Sequence, residues 1–373
     1  MVGGGVCGLA VAWRARARGL RVVLVDRGPL AGATTAVAAG MLAPVSEADP
    51  QEGSLTRLGL ESARRWPSFA AELADVSGID VAHRACGTLL VARDADEAGW
   101  LDRELALRER LGLQARALLP SQARALEPAL APSLRAAAEV PGDHAVDPRL
   151  VGAALAVAAE RAGAKLRPQT AVERLVVSGG RAAGLELQDG ATVEATHVVV
   201  AAGPWSGALP GLPDAARVPV RPVKGQLLRL RDPGHDPSAP LLSRVVRHET
   251  GYVVPRGDGR YVVGATVEER GFDTSVTALA LHELLRDASE LVPGLLELEV
   301  EETLAGLRPG TPDNAPVLGP SGALPGLHWA TGHHRNGILL APVTGDLLAA
   351  ALAEEDAPVA PAFSPDRFSG VAA

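Results

Sequence analysis

Three glycines at Gly3-x-Gly5-x-x-Gly8 have the spacing of a phosphate-cradling turn. Glycine there permits a tight turn and lets backbone N–H groups approach a pyrophosphate at the start of a helix. A helix over 9–18, closed by Gly19, and an apolar run over 21–25 follow; the run ends at Asp26, 18 residues past Gly8. An acid at such a strand end can accept hydrogen bonds from ribose hydroxyls. Gly-loop, helix, strand and acid in this order predict a dinucleotide site, with NAD and FAD both open. Thr34 and Thr35 carry hydroxyls that could reach phosphate or cap a helix. The small residues Ala38-Ala39-Gly40, before Met41 and Leu42, would let backbone pass close to a flat ring system.

Near the other end, Gly306-Leu307-Arg308-Pro309-Gly310-Thr311 and Gly332-His333-His334-Arg335-Asn336-Gly337 each set an arginine in a stiff loop. Arginine suits a bidentate grip on a carboxylate. A helix is predicted over 337–351, with Pro342 tolerated near its first turn. Its positive N-terminal end, aimed at a flavin's pyrimidine edge, would stabilise the anion formed on reduction. Tyr252 lies on a predicted strand and could donate to a substrate carboxylate beside Arg308 or pack in a sheet. Lys224 could place a charge near a reduced flavin, although a solvated strand residue is the expectation. The pair His333-His334 lacks complementary Cys, His or Asp spacing, so no metal is expected. Cys7 reads as a small packing residue and Cys86 as a buried core thiol. No Gly-x-Ser-x-Gly elbow supports hydrolase chemistry.

The elements that must position these residues follow from the pattern. Only Met1 and Val2 precede the first glycine, where a dinucleotide fold needs a strand, so the true start is expected upstream. Residues 46–84 read as helical with turn signals at Pro50 and Pro67, 87–92 as a strand and 95–112 as a helix. A Pro-rich connection carries Pro120, Pro128, Pro132 and Pro141, and an Ala-rich helix covers 149–162. Strands are predicted over 172–177, 182–187 and 197–203, antiparallel strands across 216–265, and a helix over 276–291. Residues 358–365 read as a loose terminus.

A chain of 373 residues suits about two domains. The expected fold class is α/β: a discontinuous Rossmann-like dinucleotide domain (1–84, 143–215 and 301–373) with an inserted α+β substrate domain (85–142 and 216–300) built on an antiparallel sheet. A hydrophobic fraction of 47% with 21% charged residues is globular, not disordered. The net charge of −8 opposes nucleic-acid binding, which needs a basic stripe. The longest stretch without a polar side chain, Met1 to Trp13, is short of the roughly 20 residues of a membrane span. Two cysteines make no disulfide framework and no signal peptide is evident, so a reducing, cytoplasmic location is expected. Lys165 and Lys224 are the only lysines; an Arg- and Ala-rich chain makes surface arginine a poor clue.

Gly3 to Gly8, Asp26-Arg27-Gly28, Ala38 to Pro44, His197 to Gly203 with Trp205, Gly251 to Arg256, Gly306 to Thr311 and Gly332 to Pro342 span essentially the whole chain. With these blocks in this order the sequence resembles the D-amino-acid-oxidase-like family of FAD-dependent oxidoreductases, in its glycine-oxidizing, thiamine-pathway branch. AAGMLAP and GHHRNGILLAP are the most specific segments. The resemblance implies non-covalent FAD, contacted by Gly3, Gly5, Val6, Cys7, Gly8, Asp26, Arg27, Thr34, Thr35, Ala39, Gly40, Met41 and Val172, and by His333, His334, Arg335, Asn336, Gly337, Ile338 and Leu339. It also implies that Arg308 and Arg335 hold a small amino acid, with Tyr252 nearby, and that O2 is the second substrate. Asp26 departs from a common Glu, and the shorter acid still reaches a ribose. A homo-oligomer with no nucleic-acid or membrane partner is the expectation.

The implied reaction is oxidation of glycine or a small secondary amine to an imine, then hydrolysis to the 2-oxo acid and ammonia or use in thiazole assembly, with hydrogen peroxide formed. The amine must be neutral, so the rate should rise with pH, and positioning supplies most of the catalysis. Alternatives are sarcosine, proline or a D-amino acid as substrate, a dehydrogenase using a carrier, a non-catalytic nucleotide binder, or a flavin-dependent tRNA modifier.

Overall fold

The computed structural model describes residues 1–355 and 359–369. One sheet runs in the order Lys165–Arg167, Val23–Val25, Val2, Val198–Val200, Leu327–Thr331, Val317–Pro320; only the last pairing is antiparallel. Met1 and Val2 take the central position that a dinucleotide fold reserves for its first strand. The Val2 N–H donates to the Val199 carbonyl at 2.9 Å, and the Val25 N–H donates to the Met1 carbonyl at 3.0 Å. A two-residue strand is therefore paired on both sides.

The Val6–Ala17 helix follows the glycine turn and is buried at nine of its 12 positions. A helix apolar all round must be enclosed. Pro148–Arg161 and Ala341–Leu352 pack on it, and small residues allow the close approach: a Cβ at Gly345 would lie 3.1 Å from the Ala10 carbonyl oxygen. The long Gly53–Ser77 helix completes this layer and continues through Pro67, where a turn was expected. Pro67 is exposed, so the carbonyl its missing N–H leaves free can turn to water. An antiparallel sheet of Val172–Ser178, Arg181–Leu187 and Thr192–Glu194 covers the opposite face.

A second, eight-stranded sheet has the order Glu299–Gly310, Arg221–Arg231, Arg260–Gly264, Tyr252–Pro255, Val245–Arg247, Thr88–Ala92, Ala136–Val140, Arg116–Leu118. The sheet expected as antiparallel has one parallel pairing, Val245–Arg247 with Thr88–Ala92, where the two inserted segments meet. Ala136–Val140 lies inside the expected Pro-rich connection. Its alanines are weak strand formers, yet pairing on both edges overrides that preference. The Ala278–Leu291 helix packs Leu284, Ala288 and Leu291 on the outer face against Leu228, Leu230 and Val263. The inner face gathers Leu227, Val254 and Val262 with Ala39 and Ala145. The functional site lies between that face and the parallel sheet.

Two expectations at the C-terminal end need correction. The last helix begins at Ala341, not Gly337, because Pro342 fits only within the first turn; residues 337–340 form turns before it. Of the expected loose terminus 358–365, Pro358 lies outside the described residues; Pro361–Phe363 is a 3-10 turn whose Phe363 is buried in the core. Among the described residues no helix is long and apolar enough to cross a membrane.

Candidate active site

A cavity of about 930 Å³ opens between the two sheets, and the glycine turn, the Thr34–Met41 segment, the Arg308 strand and the His333–Ile338 turn all reach it. At its first end the glycines have separate roles. Gly3 has φ +102°, and a Cβ there would lie 2.3 Å from the Ala201 carbonyl oxygen. A Cβ at Gly8 would lie 2.0 Å from the Gly3 carbonyl oxygen. Both are demanded by the protein's own packing, and Gly8 does not line the cavity. Gly5 differs: a Cβ there would meet only Thr35 Oγ1, at 3.5 Å, and would otherwise project where the cavity is open. Gly5 also immediately precedes the Val6–Ala17 helix, whose first N–H groups and positive end face an anion arriving there. The first-turn N–H groups, an open glycine face and an acid at the strand end fit a dinucleotide pyrophosphate and ribose.

That acid is Asp26. Its carboxylate accepts from the Gly4 N–H at 2.7 Å and the Gly28 N–H at 2.8 Å, fixing the turn while still lining the cavity. Arg27 and Trp205 line the wall together, with the guanidinium 4.0 Å from the indole ring. The Thr34 and Thr35 hydroxyls are engaged by protein. Thr34 donates to the Leu307 carbonyl at 2.7 Å, and Thr35 accepts from the Val6 N–H at 3.0 Å. They brace the turn and also line the cavity, and Thr35, as an acceptor from Val6, keeps its O–H free to donate to an anion there. Cys7 lies 3.8 Å from the Gly337 carbonyl oxygen, and burial pushes its thiol up to about 12, as suits a packing residue.

Ala39, Gly40 and Met41 line the middle of the cavity, with Val172 also on its wall. A Cβ at Gly40 would meet the Val146 carbonyl oxygen at 2.2 Å, so small residues bring the two backbones together. The stretch ends at Val45 and Ser46, whose N–H groups both donate to the buried Asp143 carboxylate at 3.0 and 2.8 Å. Arg108 and Arg247 both donate to the Ser46 carbonyl.

The second end holds the predicted grips. Arg308, on Glu299–Gly310, donates Nη1 to the Thr266 carbonyl at 3.1 Å and the Lys224 carbonyl at 3.3 Å. It has no carboxylate partner among the described residues. Tyr252 lies beside it, its phenol pushed above the ordinary range by burial, so it remains a donor. Arg335 lines the same cavity, but its guanidinium is committed elsewhere: Nε to Glu47 at 2.9 Å and Nη2 to Glu52 at 3.3 Å. Lys224, expected in solvent or near a flavin, is buried on the other side of its strand and pairs with Asp273 at 2.5 Å. Leu339, among the expected contacts, does not line the cavity. Its carbonyl accepts from Ser62 at 2.6 Å and Trp66 at 2.9 Å, so the long helix anchors the turn that carries His333 to Ile338.

His333, His334, Asn336, Gly337 and Ile338 all face the cavity. His334 has φ +45°, a conformation that L side chains adopt at a cost and that clusters at functional loops. Its Nδ1 is buried without a partner among the described residues, and burial, reinforced by Arg335, Arg308 and Arg221, holds the imidazole down to about 3. His333 is bonded to Thr344 at 3.0 Å and held down to about 4 by burial. Sequence reading missed Gly225, which also lines this end, and Gly264, which lies against the Tyr252 ring. The signal was a glycine inside an otherwise continuous strand pattern, which marks close approach of another group.

These shifts set an acid sensitivity. His333 and His328, both buried, fall from 6.5 to about 4, a difference of about 3 kcal/mol each. The unfolded chain takes up these protons below pH 6.5 and the folded chain does not, so that stability is lost as pH falls from 6.5 to about 4. Asp143 has the opposite sign: burial raises it from 3.8 to about 6, returning about 3 kcal/mol over nearly the same interval. His334, held down to about 3, adds to the loss of the two other histidines, so we expect urea unfolding free energies to fall by several kcal/mol between pH 6.5 and 4. His328→Gln should remove about 3 kcal/mol of this loss; an unchanged slope would exclude His328 as a contributor.

The comparisons agree with this geometry. Residues 1–351 match the family model described as FAD dependent oxidoreductase (DAO). The chain is 36% identical over 351 residues to a glycine oxidase of Geobacillus kaustophilus, covering 94% of this chain and 91% of that one. A crystal structure of glycine oxidase from Geobacillus kaustophilus superposes with a TM-score of 0.89 at 35% identity, covering 98% of this chain and 97% of that one. The bifunctional protein ThiO/ThiG of Trichormus variabilis is 35% identical over 370 residues, covering 99% of this chain and 54% of that one. The chain spans about half the length of the bifunctional relatives it matches. Glycine turn, Asp26, small-residue wall and arginine-bearing turns thus fall within one matched unit, and the chain belongs to the DAO family of FAD-dependent oxidoreductases.

Proposed function

We propose that this enzyme oxidises the amine of glycine, and of small secondary amines such as sarcosine, to the imine, with O2 reduced to hydrogen peroxide. Water then converts the imine to glyoxylate, releasing ammonia from glycine or methylamine from sarcosine. One observation carries the reading: in the cofactor cavity, the Arg308 guanidinium has no carboxylate partner among the described residues and lies beside a protonated phenol. An amino acid carboxylate would complete that set. FAD, when bound, accepts the two electrons lost by the amine. Gly3, Gly5 and Val6, with Asp26, would hold its phosphates and ribose; Ala39 to Met41 and His333 to Ile338 would flank its ring.

Arg308 and Tyr252 bind the carboxylate and orient the α-carbon; no protein base is required if the amine arrives neutral. Arg335 acts within this proposal through Glu47 and Glu52, shaping the cavity rim. The names of the relatives also support supply of the imine to thiamine thiazole synthesis. The reading includes the two-domain division given above, with the chain crossing between domains at Glu299–Gly310. It includes a cytoplasmic location and a homo-oligomer.

The test is the visible spectrum of purified holoenzyme without oxygen. Adding glycine should bleach the flavin absorbance, and admitting air should restore it with formation of peroxide. A bound flavin untouched by glycine but bleached by a bulkier amine would replace the substrate in this proposal.

A further inference from the structure

We infer that Gly225 and Gly264 are positioning residues: each provides the flat floor on which one carboxylate-binding side chain lies. This rests on the assignment of Arg308 and Tyr252 as the carboxylate grip. Arg221–Arg231 runs between Glu299–Gly310 and Arg260–Gly264, with Gly225 opposite Gly306 and Val223 opposite Arg308. Arg308 leans back along its strand across Gly225. A Cβ at Gly225 would lie 2.4, 2.5 and 2.6 Å from its Nη1, Nη2 and Cζ. Gly264 faces Tyr252 in register, and a Cβ there would lie 2.7 to 2.9 Å from the phenol oxygen, Cε2 and Cζ.

Neither glycine has a left-handed φ, so the backbone does not require the residue type. The overlying side chains do. The Lys224 and Thr266 carbonyls hold one edge of the guanidinium, and the missing Cβ lets it lie flat against the sheet. Both grips are thereby kept low, which leaves the space above them for an amino acid beneath the cofactor. A methyl group at 225 must lift the guanidinium by about 1 Å to reach ordinary contact. Displacements of that size can cost on the order of 100-fold in a reaction that depends on orientation. The clash falls on the far end of a flexible side chain, so the fold should survive the change.

The experiment compares wild-type and Gly225→Ala holoenzymes, with acetate as an unreactive carboxylate probe read by flavin absorbance and by calorimetry. In G225A, the acetate Kd and the KM for glycine should rise at least tenfold and kcat should fall, with FAD content and unfolding midpoint unchanged. Equal acetate binding and kinetics would overturn the inference, and so would a parallel loss of FAD and stability. The same substitution in an Arg308→Met background must be silent, because the displaced group is gone; an additive effect there shows that Gly225 acts otherwise and also overturns it. If wild type binds acetate but does not oxidise glycine, the substrate proposal fails while the acetate comparison still decides this one. If wild type does not bind acetate, Arg308 is no carboxylate grip and the inference falls.

Discussion

Arg308→Met should lower kcat/KM for glycine by about a thousandfold while leaving a folded, yellow protein. The magnitude follows from the pair being removed. A charge-assisted grip on a carboxylate, closed off from water by the bound substrate, is worth about 4 kcal/mol when one partner is truncated, and each 1.4 kcal/mol is tenfold. The loss should divide between KM and kcat, since the carboxylate both binds the substrate and sets the α-carbon. FAD should stay, because Arg308 is held by the Thr266 and Lys224 carbonyls at the far end from the glycine turn. Arg335→Met is the contrasting experiment. Its guanidinium already faces Glu47 and Glu52, so it has less charge to offer a substrate and about a tenfold effect is expected. Steady-state kinetics of the two variants, with FAD content measured in each, check this. A larger loss in R335M than in R308M would transfer the grip to Arg335 and refute the present assignment.

The two arginines show what a linear sequence can and cannot display. Both stand in Gly- and Pro-flanked segments, and residue type alone marks both as carboxylate binders. Only the fold reveals that Glu47 and Glu52, some 280 positions away, already occupy one of them. The Gly3-to-Asp26 order was legible because it is local: turn, helix, strand and acid are consecutive, and each constrains the next. Lys224 was not legible for the opposite reason. The pattern places it on a strand, but which face meets the cavity depends on pairing with Glu299–Gly310 and Arg260–Gly264. Thr35 reads from sequence as a phosphate ligand or a cap, and only the fold shows its oxygen also bracing the Val6 N–H. Ala136–Val140 was hidden because its strand character comes from neighbours on both edges and not from its own residues. Gly225 carries a signal, a glycine inside a strand, but only the Arg308 guanidinium lying over it says what the signal means.

Gly5→Ala should raise the FAD Kd at least a hundredfold and leave the apoprotein as stable as wild type. The three glycines of the turn look equivalent in sequence, and the structure separates them. A Cβ at Gly3 meets the Ala201 carbonyl oxygen at 2.3 Å on a backbone with φ +102°, and one at Gly8 meets the Gly3 carbonyl oxygen at 2.0 Å. Those substitutions force backbone apart and should cost several kcal/mol of stability with or without cofactor. At Gly5 the φ is −76°, within reach of any L residue, and the nearest atom to the new methyl is Thr35 Oγ1 at 3.5 Å. Reduced freedom of the unfolded chain should even add a few tenths of a kcal/mol. The methyl instead fills the space through which a pyrophosphate must approach the first N–H groups of Val6–Ala17, and a hundredfold loss corresponds to about 2.7 kcal/mol. Urea unfolding of the apoproteins and FAD titration by fluorescence quenching distinguish the cases. G5A should fail only the second measurement, while G3A and G8A should fail the first. If G5A binds FAD like wild type, the pyrophosphate does not pass over Gly5, and the turn serves packing alone.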